Sequence, residues 1–161
     1  MNEQGSSPFP FFAHSTATPD RSDWQPLAEH LQTVGRMAAE RAACFHAPGL
    51  AEVAGLLHDI GKYTTDFQRR IAGEAVRVDH ATRGAILAIE RYPQLGPLLA
   101  YAIAGHHAGL ANGAEAGERT PLRDRLRGLD LPPLLDAWRQ EIALPAQLLA
   151  PPLKAHSPER R

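Results

Sequence analysis

From residue 23 onward, apolar runs at helical spacing alternate with short breaks rich in Pro or Gly. Leu27, Leu31, Val34 and Ala38 recur on one face, which predicts a first helix with Asp23 as its cap. The stretch "HAPGL" (46–50) stops it, and a second, strongly apolar helix is expected over about 50 to 59, ending near Gly61. Thr64 or Thr65 is placed to cap a short third helix through Ile71, closed by Gly73. "HATRGAILAIERY" (80–92) and "LGPLLAYAIAGHH" (95–107) predict two more helices, with Pro93 between them. The only strand-like run, "AVRVD" (75–79), is too short and isolated to build a sheet. "PLRDRLRGL" (121–129) and "LPPLLDAWRQEIAL" (131–144) each offer one further helix. The fold class expected is therefore all-α. Residues 1–22 read as an irregular or extended N-terminal segment, 23–145 as the helical domain, and 146–161 as a Pro-rich tail or linker. Residues 111–120 are small and polar and read as a surface loop.

Composition narrows the setting. With 161 residues the chain suits one domain with a full core. Its 43% apolar and 22% charged residues are those of a soluble globular protein. No run approaches the ~20 apolar residues of a membrane span, and the N-terminus does not read as a signal peptide. Cys44 is the single cysteine, which excludes an internal disulfide and fits a cytoplasmic location. A net charge of −1 means that any nucleic-acid binding relies on local patches or bound cations.

The histidines change the picture most. There are eight, and several close or open apolar helices. His30 lies in the first helix, and His58 with Asp59 ends the second. His80 follows Asp79 at a helix start, and His106 with His107 ends another apolar helix. Taken singly each has an ordinary explanation: His46 and His156 carry no chemical signal, and His14 in "FAHS" divides evenly between a structural bond and a site role. The conjunction is harder to dismiss, because imidazole and carboxylate buried at greasy helix ends need compensation. Neutral imidazole and carboxylate suit Mn, Fe, Co, Ni or Zn, and without cysteine a closed structural zinc site is not expected. Five or six N/O ligands exceed one tetrahedral ion. They fit a dinuclear metal site between helices, with Asp59 bridging ions roughly 3.5–4 Å apart, an arrangement suited to displacement at phosphorus. Gly55 to Lys62 is not a phosphate loop, since its glycine spacing is wrong and Tyr63 stands where Ser or Thr is needed.

The stretches "FAHS" (12–15), "WQPLAEHLQTV" (24–34), "AGLLHDIGKYTTDFQ" (54–68), "VDHATRGA" (78–85) and "AYAIAGHHAGLANG" (100–113) resemble the HD superfamily of metal-dependent phosphohydrolases. Within it they resemble the HD nuclease domain of the CRISPR-associated helicase-nuclease of type I interference. HD-x-G-K alone indicates the superfamily; "W-Q-P-L-x-E-H-L" with "A-I-A-G-H-H-A-G-L" is more specific. The resemblance implies an HD-domain helical bundle and a nuclease acting on single-stranded DNA in antiviral defence. It would use two divalent metal ions (Mn²⁺, Mg²⁺, Ni²⁺, Co²⁺ or Fe²⁺) and work with a CRISPR helicase and a guide-RNA surveillance complex. It further implies His30, His58 and Asp59 as ligands of one ion, and Asp59, His80, His106 and His107 as ligands of the other. Asp59 and Lys62 are the catalytic candidates, Lys62 as an ammonium steadying the scissile phosphate or else as a solvated helix-end residue. The family usually has a further acidic ligand downstream, for which Asp124, Asp130 and Asp136 are candidates. With no helicase in the sequence, a stand-alone subunit and an excised domain are both compatible. Arg69, Arg70, Arg77 and Arg83, with the cluster Arg119, Arg123, Arg125 and Arg127, offer charge for substrate approach. The alternatives are an HD phosphohydrolase of nucleotides or cyclic nucleotides and a non-catalytic adaptor that docks the helicase or surveillance complex.

Overall fold

A computed structural model describes residues 11–107, 109–111, 121–127 and 130–152. The sequence-based expectations for residues 1–10, 112–120 and 153–161, with Arg119 and His156 among them, lie outside the described residues.

Among the described residues the regular structure is helical apart from one small ribbon. Strand β1 (Phe12–His14) pairs antiparallel with β2 (Gln25–Pro26), and the Leu27 amide donates to the Phe11 carbonyl at 2.8 Å. The extended N-terminal segment is thereby fastened to the start of helix α1 (Leu27–Ala42). Asp23 does not cap that helix. Its carboxylate instead accepts from the hydroxyls of Thr16 and Thr18, closing the loop between the strands. Run 75–79, the only strand-like stretch in the sequence, forms no strand; both strands lie where no alternating pattern marks them.

Helix α2 (Pro48–Leu57) begins on Pro48, whose missing N–H costs nothing in a first turn. A 3₁₀ turn (Ile60–Lys62) follows it. Helix α3 (Thr65–Ile71) is capped by Thr64, whose hydroxyl accepts from the Phe67 amide, and Gly73 at φ +101° turns the chain away. Helix α4 (Ala81–Arg91) is capped from outside by Asp79, which accepts from the Ala81 and Thr82 amides and the Thr82 hydroxyl. Helix α5 (Gly96–Gly105) runs back along it. Beyond these, only short turns survive of the two C-terminal helices expected: α6 (Leu122–Arg125) and α7 (Ala137–Glu141). Pro132 and Pro133 remove two amide donors from the second, so its first half is irregular.

Helix α1 packs chiefly on α2, and α4 on α5. Leu27, Leu31, Val53, Leu57, Ile60, Tyr63, Ala85 and Ile103 form one continuous buried core. Close approach replaces side-chain filling at several crossings. A Cβ on Gly55 would lie 2.6 Å from Gly35 Cα, and one on Gly61 or Gly84 would strike the carbonyl of His80 or Leu57. The irregular C-terminal segment is bonded across this core. The Tyr63 hydroxyl donates to Glu141 at 2.6 Å, the Leu135 amide to the Tyr63 carbonyl at 2.8 Å, and Arg83 to the carbonyls of Leu131 and Pro132. The Tyr92 hydroxyl reaches the Pro145 carbonyl, and Leu148 packs against the core. Among the described residues no helix is long and apolar enough to cross a membrane.

Gly61 therefore sets how near α4 comes to the turn after α2. Gly61→Ala is expected to lose about 3 kcal/mol, the upper part of the usual overpacking range, in urea denaturation followed by circular dichroism.

Candidate metal centre

The two helices that end in histidine explain their own chemistry. The last carbonyls of a helix have no amide partner within it. His58 closes α2 and its Nδ1 lies 2.7 Å from the Gly55 carbonyl; His106 closes α5 and its Nδ1 lies 2.6 Å from the Ile103 carbonyl. A carbonyl only accepts, so each Nδ1 carries the proton. In the neutral ring Nε2 is then bare and aimed away from the helix. The same contact that satisfies an orphan carbonyl thus fixes the tautomer a metal requires.

Both bare nitrogens face Asp59, which is 3% exposed at the foot of the turn after α2. Its two oxygens divide the neighbours. Oδ2 lies 3.2 Å from His58 Nε2, 3.4 Å from His30 Nε2 and 2.7 Å from Lys62 Nζ. Oδ1 lies 3.3 Å from His106 Nε2 and 3.4 Å from His80 Nε2, yet it makes no hydrogen bond. The imidazoles also meet nitrogen to nitrogen, His30 with His58 at 3.2 Å and His80 with His107 at 2.7 Å. Two lone pairs at such distances need a proton or a cation between them. Two groups of donor atoms result, each with all its members within 4.8 Å of one another: His30, His58 and Asp59; and Asp59, His80, His106 and His107. Every histidine named from the sequence as a ligand is in one of them. An orphaned buried carboxylate oxygen, fixed tautomers and converging nitrogens are what a divalent cation would satisfy, so the residues fit a metal.

Electrostatics agree with the geometry. Burial works to raise the Asp59 carboxyl, but the imidazoles of His106, His30 and His58 outweigh it and hold the group far below the ordinary carboxylate range. It stays ionised. Burial is also the chief influence on His80, pushed down to about 4 against the opposing pull of Asp59. His107 and His14 are lowered, in each case first by burial. His106 alone is raised, because its contacts with Asp59 and the Ile103 carbonyl overcome burial.

Lys62 is not a solvated helix-end residue. It is 4% exposed, its ammonium is bound to Asp59 and donates to the Ala13 carbonyl at 3.1 Å, and it stands 5.1 Å over the Phe67 ring. His14 joins the cluster at its edge, its ring 5.0 Å from that of His30. His46 is exposed and takes no part. None of the downstream acids joins. Asp124 pairs with Arg123 and Asp136 with Arg139, while Asp130 is exposed. Another downstream acid, Glu141, is exposed but accepts from the hydroxyl of the buried Tyr63. Most of the arginines are engaged elsewhere: Arg69 with Glu74 and Asp66, Arg83 with the C-terminal segment, and Arg125 with the Ala104 carbonyl at 2.6 Å. Sequence reasoning missed the carbonyl locks, although histidine one place past a helix end is itself the signal. It also missed the burial of Lys62, which nothing local reveals.

A cavity of about 500 Å³ opens beside the cluster, lined by His14, Lys62, Phe67, Arg70, His80 and His107 among others. The arrangement suits binding and polarising an anionic ester next to residues that could hold a metal. The family model described as "HD domain" matches residues 27–136, which contain all six residues of the two donor groups and Lys62. No curated protein matches the chain.

A histidine whose folded pKa is depressed binds its proton more readily when unfolded, so stability falls as pH drops from the unfolded value toward the folded one. For His80 that window runs from 6.5 to about 4, His14 and His107 act in the same sense, and the raised His106 opposes them. Metal-free protein in chelator is expected to melt at progressively lower temperature from pH 6.5 to pH 4. His80→Asn should flatten that slope in the same thermal scans.

Proposed function

The chain belongs to the HD-domain family, and from that premise we propose that it is a divalent-metal-dependent nuclease hydrolysing phosphodiester bonds of single-stranded DNA. HD domains bind divalent metals, and the family chemistry is metal-dependent phosphoester hydrolysis. Beyond that chemistry, its biological setting on this reading is CRISPR interference, with a helicase and a guide-RNA surveillance complex as partners and the cytoplasm as location. The observation that carries the reading is the divided carboxylate: Asp59 presents one oxygen to His30 and His58 and the other to His80 and His106. A single buried aspartate serving two imidazole sets supports two cation positions, held by His30, His58 and Asp59 and by Asp59, His80, His106 and His107. The flanking "WQPLAEHL" and "AIAGHHAGL" motifs support the nuclease branch of the family over its nucleotide-cleaving branches.

When bound, a pair of divalent cations supplies charge neutralisation at phosphorus and a nucleophile drawn from water at neutral pH. The protein does the rest. His58 and His106 keep their Nδ1 protons on backbone carbonyls, so their Nε2 atoms stay available as donors of electron pairs. Against the opposing effect of burial, the surrounding imidazoles keep Asp59 ionised and unable to lend a proton. Lys62, pinned between Asp59 and the Ala13 carbonyl, holds a fixed positive charge at the cavity wall. Such a charge is already oriented when an anionic ester arrives, and reorganises little as charge builds on it. A single strand threads into a concave helical site more easily than a duplex does.

Incubation with circular single-stranded DNA and Mn²⁺ tests this directly. Linearisation and degradation are expected, abolished by chelator. Asp59→Ala should reduce the rate by more than the about 10–100-fold typical of substitutions behind a ligand. DNA left intact while nucleotides or cyclic nucleotides turn over would move the reading to a small-molecule phosphohydrolase. A purified protein without metal or any turnover would leave only an adaptor.

A further inference from the structure

Of the arginines in the described residues that the sequence offers for substrate approach, the fold singles out one. Arg69 and Arg70 are neighbours on α3, but their surroundings differ. Arg69 is neutralised by Glu74 at 2.7 Å, with Asp66 at 3.8 Å. Arg70 has no carboxylate within ion-pair distance among the described residues; its Nη1 donates to the Val76 carbonyl at 3.1 Å. That carbonyl belongs to the loop that Gly73, at φ +101°, swings back past the end of α3. The guanidinium is therefore held in place by a neutral acceptor, which spends one of its five donors and none of its charge. Arg70 also lines the cavity that reaches Lys62, His80 and His107. At about 500 Å³ the cavity falls within the roughly 300–1,000 Å³ usual for small-ligand sites. It therefore has room for more than the reacting phosphate.

We infer that Arg70 grips a backbone phosphate flanking the scissile one, so that the site prefers a polynucleotide to an isolated phosphodiester. Guanidinium suits this because its fork matches phosphate oxygens in pairs, and anchoring at Val76 removes part of the ordering cost. The inference rests on the polynucleotide reading of the site and names a contact within it. Arg70 is a positioning residue for the chain of phosphates, away from the bond being cut.

The test uses the full chain, a labelled oligothymidylate, and bis(p-nitrophenyl) phosphate, which carries one phosphate only. In chelator, Arg70→Ala is expected to weaken oligothymidylate binding by about tenfold and reduce the salt slope by about one. Arg69→Ala should stay within about twofold, since its charge is already neutralised. Arg70→Lys should recover part of the loss. With Mn²⁺, Arg70→Ala should raise KM for the oligonucleotide and leave turnover of the single-phosphate ester unchanged. A purely structural role, acting through the Val76 loop on nearby His80, would instead impair both substrates and Mn²⁺ affinity, and would overturn the inference. So would equal oligonucleotide binding by Arg70→Ala and Arg69→Ala, or no binding by the wild type. If wild type cleaves DNA and Arg70 is silent, the inference alone falls. If Arg70 governs binding and no DNA is cleaved, the contact stands and the nuclease reading falls.

Discussion

A buried carboxylate cannot stand alone, and the arrangement of this molecule follows from surrounding one. Isolated in a protein interior, Asp59 would cost several kcal/mol even after relaxation. Its contacts come from four separate helical segments: His30 from α1, His58 and Lys62 from the end of α2 and the turn after it, His80 from the start of α4, and His106 from the end of α5. No two adjacent elements could do this, because the carboxylate has two faces and each is served from a different side. The constraint reaches backward into packing. Gly61 and Gly84 let α4 approach until backbone touches backbone, which brings His80 within reach of Asp59. Larger residues at those positions would fill space and push His80 away from Asp59.

Much of this was legible from the sequence, and the reasons are physical. The long helices follow from apolar spacing and from Pro48, Thr64 and Gly73, whose local preferences agree with the packing. Four of the histidines that cluster, His58, His80, His106 and His107, stand at helix ends, because a polar group there sits at the boundary of a core whether or not the partner is known; His30 lies within α1. What the sequence hid was non-local. Asp23 has the side chain of a cap, but Thr16 and Thr18 compete for it and win. The strands carry no alternation because each is only two or three residues long and is fixed by the docking of Phe11 and Ala13 in the core. The burial of Lys62 depends on the Ala13 carbonyl, forty-nine residues away. Arg69 and Arg70 are chemically identical in sequence and differ only through Glu74 and Val76.

Helix ends recur as the working parts. At the C-termini of α2 and α5 the orphan carbonyls hold His58 and His106 by Nδ1, so the rings cannot turn over without losing a bond in a half-buried place. At the start of α4, Asp79 gathers the free amides and fixes the residue beside it, His80. His58, His106 and Lys62 therefore each have a second contact that sets their direction, supplied by a backbone carbonyl. Backbone donors and acceptors do not change with side-chain substitution nearby, which makes such a site tolerant of variation around it while its own members stay aligned.

Charge balance bears on which ligands the centre favours. Asp59 and Lys62 are one anion and one cation, already within 2.7 Å of each other, and the remaining donors of the two groups are imidazoles rather than carboxylates. The acids further along the chain, Asp124 and Asp136, are bound to arginines on the surface, and Asp130 is exposed. On the proposed reading, a pair of divalent cations held by this set would leave the centre strongly positive, with a single carboxylate against it. A site so balanced favours ligands that bring their own negative charge. A phosphodiester supplies one per linkage, and a polynucleotide supplies them in series. The preference for an anionic chain would then come from what the centre lacks as much as from the arginine beside it.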